Sequence, residues 1–199
     1  MRGKLRILML IALFTALTAI GAFIRIPLPY IPITLQVFFC VMSGIILGPK
    51  YGALSQIIYV ALGLAGAPIF TQGGGPGYVL KPSFGYLIGF ILCAYVTGLL
   101  VAHSPSKKVL SIFVRSLPGL LLLYSIGVPY LFLVYNLYLG QSKTILWALY
   151  WGFVTTIGKD ILSLYLVSVL SSRLLPLIQK LGYAFPFTQG NSFKPPSTE

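Results

Sequence analysis

Acidic side chains are almost absent from this sequence. Its 199 residues include only Asp160 and Glu199, against fourteen lysines and arginines. Glu199 ends a polar tail, so Asp160 is the single carboxylate in the apolar body of the chain. One interior carboxylate leaves no second acid for a general acid–base pair.

Metal-binding and nucleophilic residues are equally scarce. Cys40, Cys93 and His103 are the only thiols and imidazole, and they fall on different predicted segments. They are too few and too scattered for a metal cluster, and the cysteines are expected to pack as small hydrophobic side chains. The sequence has no phosphate-binding loop and no nucleophile-elbow motif. It therefore predicts no catalytic residue, no metal and no cofactor; an intramembrane hydrolase using a serine and Asp160 is the remaining enzymatic alternative.

Charge is sparse and apolar residues dominate. The chain is 57% hydrophobic and 8% charged, with a mean hydropathy of +0.93. These values predict an integral membrane protein with one domain, residues 1–183, followed by a polar tail, 184–199. The basic residues lie singly between apolar runs and form no stripe, so nucleic acid is not expected as a partner.

Apolar runs separated by turn residues predict an all-α protein with six membrane-spanning helices. The first is 7–24, although 1–22 also has the pattern of a secretory signal. The others are 34–47, a segment from the 48–52 turn to about residue 66, 83–102, 109–138 and 158–175. An unbroken helix over 144–172 would be about 43 Å long and exceed the hydrocarbon core, so a break is predicted near Gly158 after a short helix, 144–153.

The distribution of basic residues predicts that both termini face the cytoplasm. Nine lysines and arginines fall on the side of the termini, and Arg25, Lys81, Lys143 and Lys159 fall on the other. The proline-rich first loop, the glycine-rich third loop and the segment leading into Asp160 then meet near the outer face. Their convergence predicts a ligand pocket there.

Asp160 lies between uncharged runs and is expected at membrane depth. An ionisable residue there marks a functional site, and a carboxylate is best matched by paired N–H donors. Lys159 is adjacent, but neighbouring residues do not share a helix face, so the sequence does not predict it as a partner. The alternatives are an ion pair with Arg25, Lys81 or Arg115, or a cap on the last helix.

Several motifs together resemble the BioY family, the biotin-specific S components of energy-coupling-factor (ECF) transporters. The resemblance covers residues 8–175 in order. It rests on IPITLQ at 31–36, GALSQIIY at 52–59, GLAGAPIF at 63–70, the glycines at 73–75, GYLIGF at 85–90 and GKDIL at 158–162.

The resemblance implies uptake of biotin from outside, with a transmembrane T component and two ATP-binding subunits as partners, in a bacterial-type cytoplasmic membrane. It assigns Asp160 to the two ureido N–H groups of biotin. Lys81 and the amides of Gly74 and Gly75 are candidates for the valerate carboxylate. The chain departs from the family pattern at Ser163, where a lysine is usual, and at Lys159, where a glycine is common.

Further candidate residues follow from composition and from the resemblance. Gln36 is a polar side chain at the predicted outer pocket, and Tyr59, Phe70 and Tyr86 are candidate walls for an apolar ring, although aromatic residues also serve as packing and interface anchors. Ala12 and Ala16 form a small-xxx-small pair, which the resemblance assigns to docking of the T component and which internal packing would also explain. Alternative functions are a proton-coupled carrier for another vitamin-like solute, an S component for a different vitamin, or a structural membrane subunit.

Overall fold

The computed structural model describes residues 2–104 and 106–180, so the predicted polar tail lies outside the described residues. Within them, five helices are long and apolar enough to cross a membrane. These helices are Lys4–Phe23, Gln36–Leu64, Phe84–Ala102, Val109–Tyr138 and Ile145–Leu177. The chain is therefore an α-helical, multi-pass membrane protein, as its composition predicts.

The helices are joined by short irregular segments. Helix α1, Arg2–Phe23, leads into a small antiparallel hairpin of β1, Arg25–Ile26, and β2, Ile33–Thr34, in which Arg25 pairs with Thr34. The hairpin forms where prolines exclude a helix. Helix α2, Gln36–Leu64, is followed by a glycine-rich loop with one 3₁₀ turn, Pro76–Leu80.

Four helices follow in the described residues after the glycine-rich loop. Helix α3 is Phe84–Ala102, and α4, Val109–Leu133, ends in a π-helical segment, Val134–Tyr138. Helix α5, Ile145–Leu149, continues through a second π-helical segment, Tyr150–Val154, into α6, Thr155–Lys180.

Helix α2 reverses direction near its middle. Gly48 has non-helical backbone angles, with φ at +78°. A Cβ on Gly52 would lie 2.7 Å from the Cα of Gly44, whereas residues eight apart in a straight helix are about 12 Å apart. The halves of α2 therefore lie side by side, and the predicted turn at 48–52 separates them.

The predicted break near Gly158 is wrong. Gly158 lies inside α6, and the helical path from Ile145 onward widens only at the π-helical segment Tyr150–Val154. An apolar helix longer than the hydrocarbon core is accommodated by tilting or by extending past it, and it keeps its backbone hydrogen bonds. The length of this helix beyond the hydrocarbon core therefore did not require a break near Gly158.

Small residues set the packing between α2 and its neighbours. A Cβ on Gly44 would lie 2.3 Å from the carbonyl oxygen of Ala94 on α3. Cys40 and Cys93 are fully buried in the same core, as predicted for small apolar side chains. This close packing holds α2 against α3, and residues near the start of each helix line a cavity.

Candidate functional site

A narrow cavity lies where the first loop, the third loop and α6 meet. Its volume is about 40 Å³. Ile31, Pro32, Thr34, Gln36, Val37, Thr71, Tyr78, Ser83, Tyr86, Leu87, Phe90, Leu123, Tyr124, Thr156, Lys159 and Asp160 line it. The convergence of both loops on Asp160, predicted from the topology, is present.

Asp160 is buried in the cavity wall, with 2% of its surface exposed. The Tyr124 hydroxyl on α4 donates a hydrogen bond to Asp160 Oδ2. The Lys159 ammonium forms an ion pair with Oδ1, but among the described residues this oxygen accepts no hydrogen bond of suitable geometry. Oδ1 thus retains acceptor capacity for a further N–H or O–H group.

Lys159 pairs with Asp160, although helix geometry does not predict contact between adjacent residues. Its flexible four-carbon stem lets the ammonium turn back to the neighbouring carboxylate, although the two residues leave the helix in different directions. Lys159 Nζ also donates to the Thr34 carbonyl oxygen at 3.1 Å. It therefore ties α6 to the first loop beside the carboxylate. Arg25, Lys81 and Arg115, the predicted alternatives, are not the partner of Asp160.

Hydroxyl groups extend the Asp160 site toward α3. Tyr124 Oη lies 3.0 Å from Thr156 Oγ1. The hydroxyls of Thr156 and Tyr86 both donate to the Gly152 carbonyl oxygen, at 3.1 and 2.8 Å. Gly152 lies in the π-helical segment, so this network fixes the segment against α3 and orients Tyr124 toward the carboxylate.

Gln36 joins the start of α2 to the third loop. Its Nε2 donates to the Tyr59 hydroxyl at 2.8 Å, and Tyr59 in turn donates to the Ile69 carbonyl oxygen at 3.1 Å. The Thr34 hydroxyl donates to Gln36 Oε1 at 3.1 Å. Gln36 lines the cavity, whereas the fully buried Tyr59 supports it from behind.

A second polar cluster in the cavity wall comes from the third loop. The Tyr78 hydroxyl lies 2.9 Å from Thr71 Oγ1 and 3.3 Å from Ser83 Oγ. Phe70 holds this loop from below, since its ring is 4.5 Å from that of Tyr78 and occupies the space beside Gly63. Three hydroxyls therefore meet in one part of the wall.

Three of the nine predicted ligand-binding residues line the cavity, namely Asp160, Gln36 and Tyr86. The structure places Lys81, Tyr59, Phe70, Gly74, Gly75 and Ser163 outside the lining. Lys81 is exposed and Ser163 is buried elsewhere on α6. Gly74 and Gly75 shape the loop instead: a Cβ on Gly74 would lie 2.1 Å from the Ala67 carbonyl oxygen, and Gly75 has φ at +101°.

The prediction missed Tyr124 and Thr156. Thr156 is four residues before Asp160, a spacing that places both on one face of a helix, so the sequence did carry a signal for it. The sequence carried no such signal for Tyr124, because only the packing of α4 against α6 distinguishes it from the other tyrosines among the thirteen in the chain. Among the described residues, no group of three or more histidine, cysteine, aspartate or glutamate side chains lies close enough to hold a metal.

A separate apolar groove runs along α1. Leu8, Ile11, Ala12, Thr15, Ala16, Ala19, Ile58, Leu62 and Ile69 line it. Ala12 and Ala16 are exposed in the part of the chain that the structure describes. The described helices leave this small-residue pair uncovered, and its role in docking stays a prediction.

Fold and cavity together define an α-helical, multi-pass membrane protein with a buried carboxylate in the wall of a narrow cavity. Residues 1–180 match the model of the BioY family, and the chain belongs to that family. The probable biotin transporter BioY of Lysinibacillus sphaericus is 44% identical over 84% of this chain and 85% of its own. The biotin transporter BioY of Thermotoga maritima is 39% identical over 83% of this chain and 93% of its own.

A solved structure has the same fold. It is the S-component for biotin from an ECF-type ABC transporter, with a TM-score of 0.76 and 28% sequence identity. The match covers 88% of this chain and 93% of the other. The resemblance seen in the sequence motifs is thereby confirmed.

Proposed function

We propose that this protein captures biotin and takes it up across the membrane as the S component of an ECF-type transporter. The observation that carries the assignment to this site is Asp160, a buried carboxylate in the cavity wall with acceptor capacity left on Oδ1. Transport proteins for biotin are its relatives over most of the chain.

The two polar clusters suit the two polar ends of biotin. The ureido ring carries two N–H donors, which a carboxylate can accept in parallel. The valerate carboxylate needs donors, and the hydroxyls of Thr71, Tyr78 and Ser83 provide them in the same cavity. Leu87, Phe90 and Leu123 offer apolar contact for the ring system and chain.

Biotin entry requires movement, since the cavity is narrow. The first and third loops are the elements to move, because both contribute to the wall and neither belongs to a long helix. Gln36 and Tyr86 contact the ligand directly. Tyr59, Phe70, Gly74 and Gly75 position the third loop. Lys81 and Ser163 lie outside the cavity lining and do not contact the ligand directly.

We further propose six crossings, with both termini in the cytoplasm. Each half of α2 forms one crossing because the halves lie side by side. The ligand cavity then opens to the outer face of a bacterial-type cytoplasmic membrane, as the excess of basic residues on the side of the termini favours.

The proposed partners are a transmembrane T component and two ATP-binding subunits. The groove that contains Ala12 and Ala16 is the docking surface for the T component. Exposed small residues let another helix approach closely, and lipid alone does not require them.

Equilibrium binding of labelled biotin to the purified full chain tests the assignment. Asp160→Asn is expected to weaken binding by about tenfold to a hundredfold, because the amide retains only one acceptor oxygen and loses the charge that strengthens the bond. Ser171→Ala is the matched control, since Ser171 is buried on the same helix but does not line the cavity.

Two results would count against the proposal. Equal biotin affinity in wild type and Asp160→Asn would remove Asp160 from the site. Absence of biotin binding by the folded wild-type protein would reject biotin as the ligand.

A further inference from the structure

A further surface groove lies at the connection between α3 and α4. It is lined by Ser106, Lys108, Leu110, Ser111, Val114 and Arg115 and has a volume of about 490 Å³. It is an open groove on the protein surface, quite unlike the narrow cavity at Asp160. None of its lining residues belongs to the proposed biotin site.

The groove lies at the other end of α3 from the biotin site. Tyr86 lines the ligand cavity near the start of α3, and the helix ends at Ala102, sixteen residues and about 24 Å later. The connection that follows joins two helices long and apolar enough to cross a membrane. The groove is therefore located at a membrane surface.

Three cations gather there without a carboxylate. Lys107 Nζ donates to the Val101 carbonyl oxygen at 2.6 Å, and Arg115 Nη1 donates to that of Leu100 at 3.3 Å. Lys108 lines the groove between them in sequence. The described residues include one acid, Asp160, which pairs with Lys159. No described acidic side chain thus neutralises the groove.

These cations influence one another. Partial burial lowers the pKa of Lys107, and the positive charge of Arg115 lowers it further. An anion bound beside them would remove this repulsion. The groove therefore has the electrostatics of an anion site.

An apolar track leads away from the cations along α4. Leu110, Val114 and Leu121 are 73%, 52% and 58% exposed. At 3.6 residues per turn they fall within one stripe of the helix, running from the groove toward the middle of the predicted span. The complementary molecule has an anionic head and apolar chains.

We propose that this groove binds the phosphate headgroup of an anionic phospholipid, with its acyl chain along the Leu110–Val114 stripe. Lys108 and Arg115 contact the phosphate, and Ser111, whose hydroxyl lies 2.8 Å from Ser104 Oγ, lines the groove beside them. Basic pockets beside membrane helices bind such headgroups through this combination of charge and apolar contact. A free phosphate or an acidic peptide would leave the apolar stripe unused.

Native mass spectrometry of the purified full chain tests this site, with phosphatidylglycerol and phosphatidylcholine added in turn. The wild type is expected to retain one phosphatidylglycerol in preference to phosphatidylcholine. Lys108→Gln combined with Arg115→Gln should weaken phosphatidylglycerol retention about tenfold or more, given the typical contribution of each cation near an anionic surface. Biotin binding should stay unchanged, since the groove is remote from the cavity.

The matched control is Lys4→Gln combined with Arg173→Gln. It removes the same charge from exposed positions on the same predicted side of the membrane. An equal loss in this control would reduce the effect to general electrostatics and overturn the proposal. Equal retention of phosphatidylcholine would also overturn it, as would displacement of phosphatidylglycerol by an equal concentration of inorganic phosphate.

A second variant keeps the test decisive if the double substitution does not fold. Ser111→Trp fills the groove without changing any charge. Loss of retained phosphatidylglycerol in this variant, with biotin binding preserved, supports the groove as the site. Full retention of the lipid would reject it.

Discussion

The two oxygens of Asp160 contact different side chains, one from another helix and one from the adjacent residue. Tyr124 comes from α4 and engages Oδ2, whereas Lys159 comes from the adjacent position and faces Oδ1. A buried carboxylate is costly unless it is paired and hydrogen-bonded. The cation beside the carboxylate is Lys159, whereas Ser163 on the same helix does not line the cavity.

Removing this cation is expected to destabilise the protein through Asp160. Lys159→Met should lower the free energy of unfolding by about 1–3 kcal/mol, which is below the range for fully buried pairs because Lys159 is partly exposed. Adding Asp160→Asn should recover most of that loss, since no buried charge then remains, without restoring biotin binding. Thermal unfolding of the four proteins in detergent, with biotin binding measured in parallel, gives both quantities.

The double variant decides the interpretation. The loss of unfolding free energy in the double variant is compared with the sum of the losses in the two single variants. If the two are equal, Lys159 and Asp160 contribute independently and the ion pair is not their main interaction.

At the scale of elements, the halves of α2 and helix α3 are held close by glycines. Gly44 faces the backbone of Ala94, and Gly52 faces Gly44 across the reversal. The sequence predicted the reversal from the 48–52 turn, since glycine and proline there interrupt an apolar run. It could not predict which glycines lie at helix contacts, because that depends on the facing helix.

Two glycine substitutions separate crowding from helix propensity. Gly44→Ala is expected to destabilise the protein by about 1–3 kcal/mol, because its Cβ would overlap the Ala94 carbonyl and force α2 and α3 apart. Gly158→Ala should be neutral or stabilising by up to about 1 kcal/mol, since nothing lies within 4 Å of its Cβ and alanine favours a helix. Melting temperatures in one detergent compare them. A Gly44→Ala protein as stable as Gly158→Ala would contradict the packing described.

At the scale of the whole molecule, membrane orientation decides which face receives biotin. Cysteines substituted one at a time for Lys50, Lys81, Lys108 and Lys143 report the membrane orientation. The native Cys40 and Cys93 are fully buried, so they are not expected to react. With six crossings and cytoplasmic termini, a membrane-impermeant maleimide should label residues 81 and 143 in intact cells. Residues 50 and 108 should react only in inverted vesicles.

The pattern is specific to this topology. Labelling of residues 50 and 81 together in intact cells would exclude a crossing by each half of α2. Labelling of residue 108 in intact cells, with residue 143 protected, would reverse the orientation.

The α1 groove is the proposed docking surface for the T component, and a substitution that fills it tests this role. Ala12→Trp should abolish co-purification with a T component and ATP-binding subunits while biotin binding persists, because the indole fills the groove without reaching the cavity. Leu13→Trp is the control, since Leu13 is half exposed and does not line the groove. Intact complexes in the Ala12→Trp protein would place the docking surface elsewhere.

Composition and apolar spacing were enough to specify a multi-pass helical protein, its main turns and Asp160, because burial in lipid imposes long apolar runs and makes an isolated carboxylate conspicuous. Folding alone selected Tyr124, Thr156 and the third-loop hydroxyls for the cavity and kept Tyr59, Phe70 and Ser163 out of it. It also joined α5 to α6 without a break at Gly158. These outcomes depend on how helices distant in sequence face one another, and hydropathy along a single chain does not encode that.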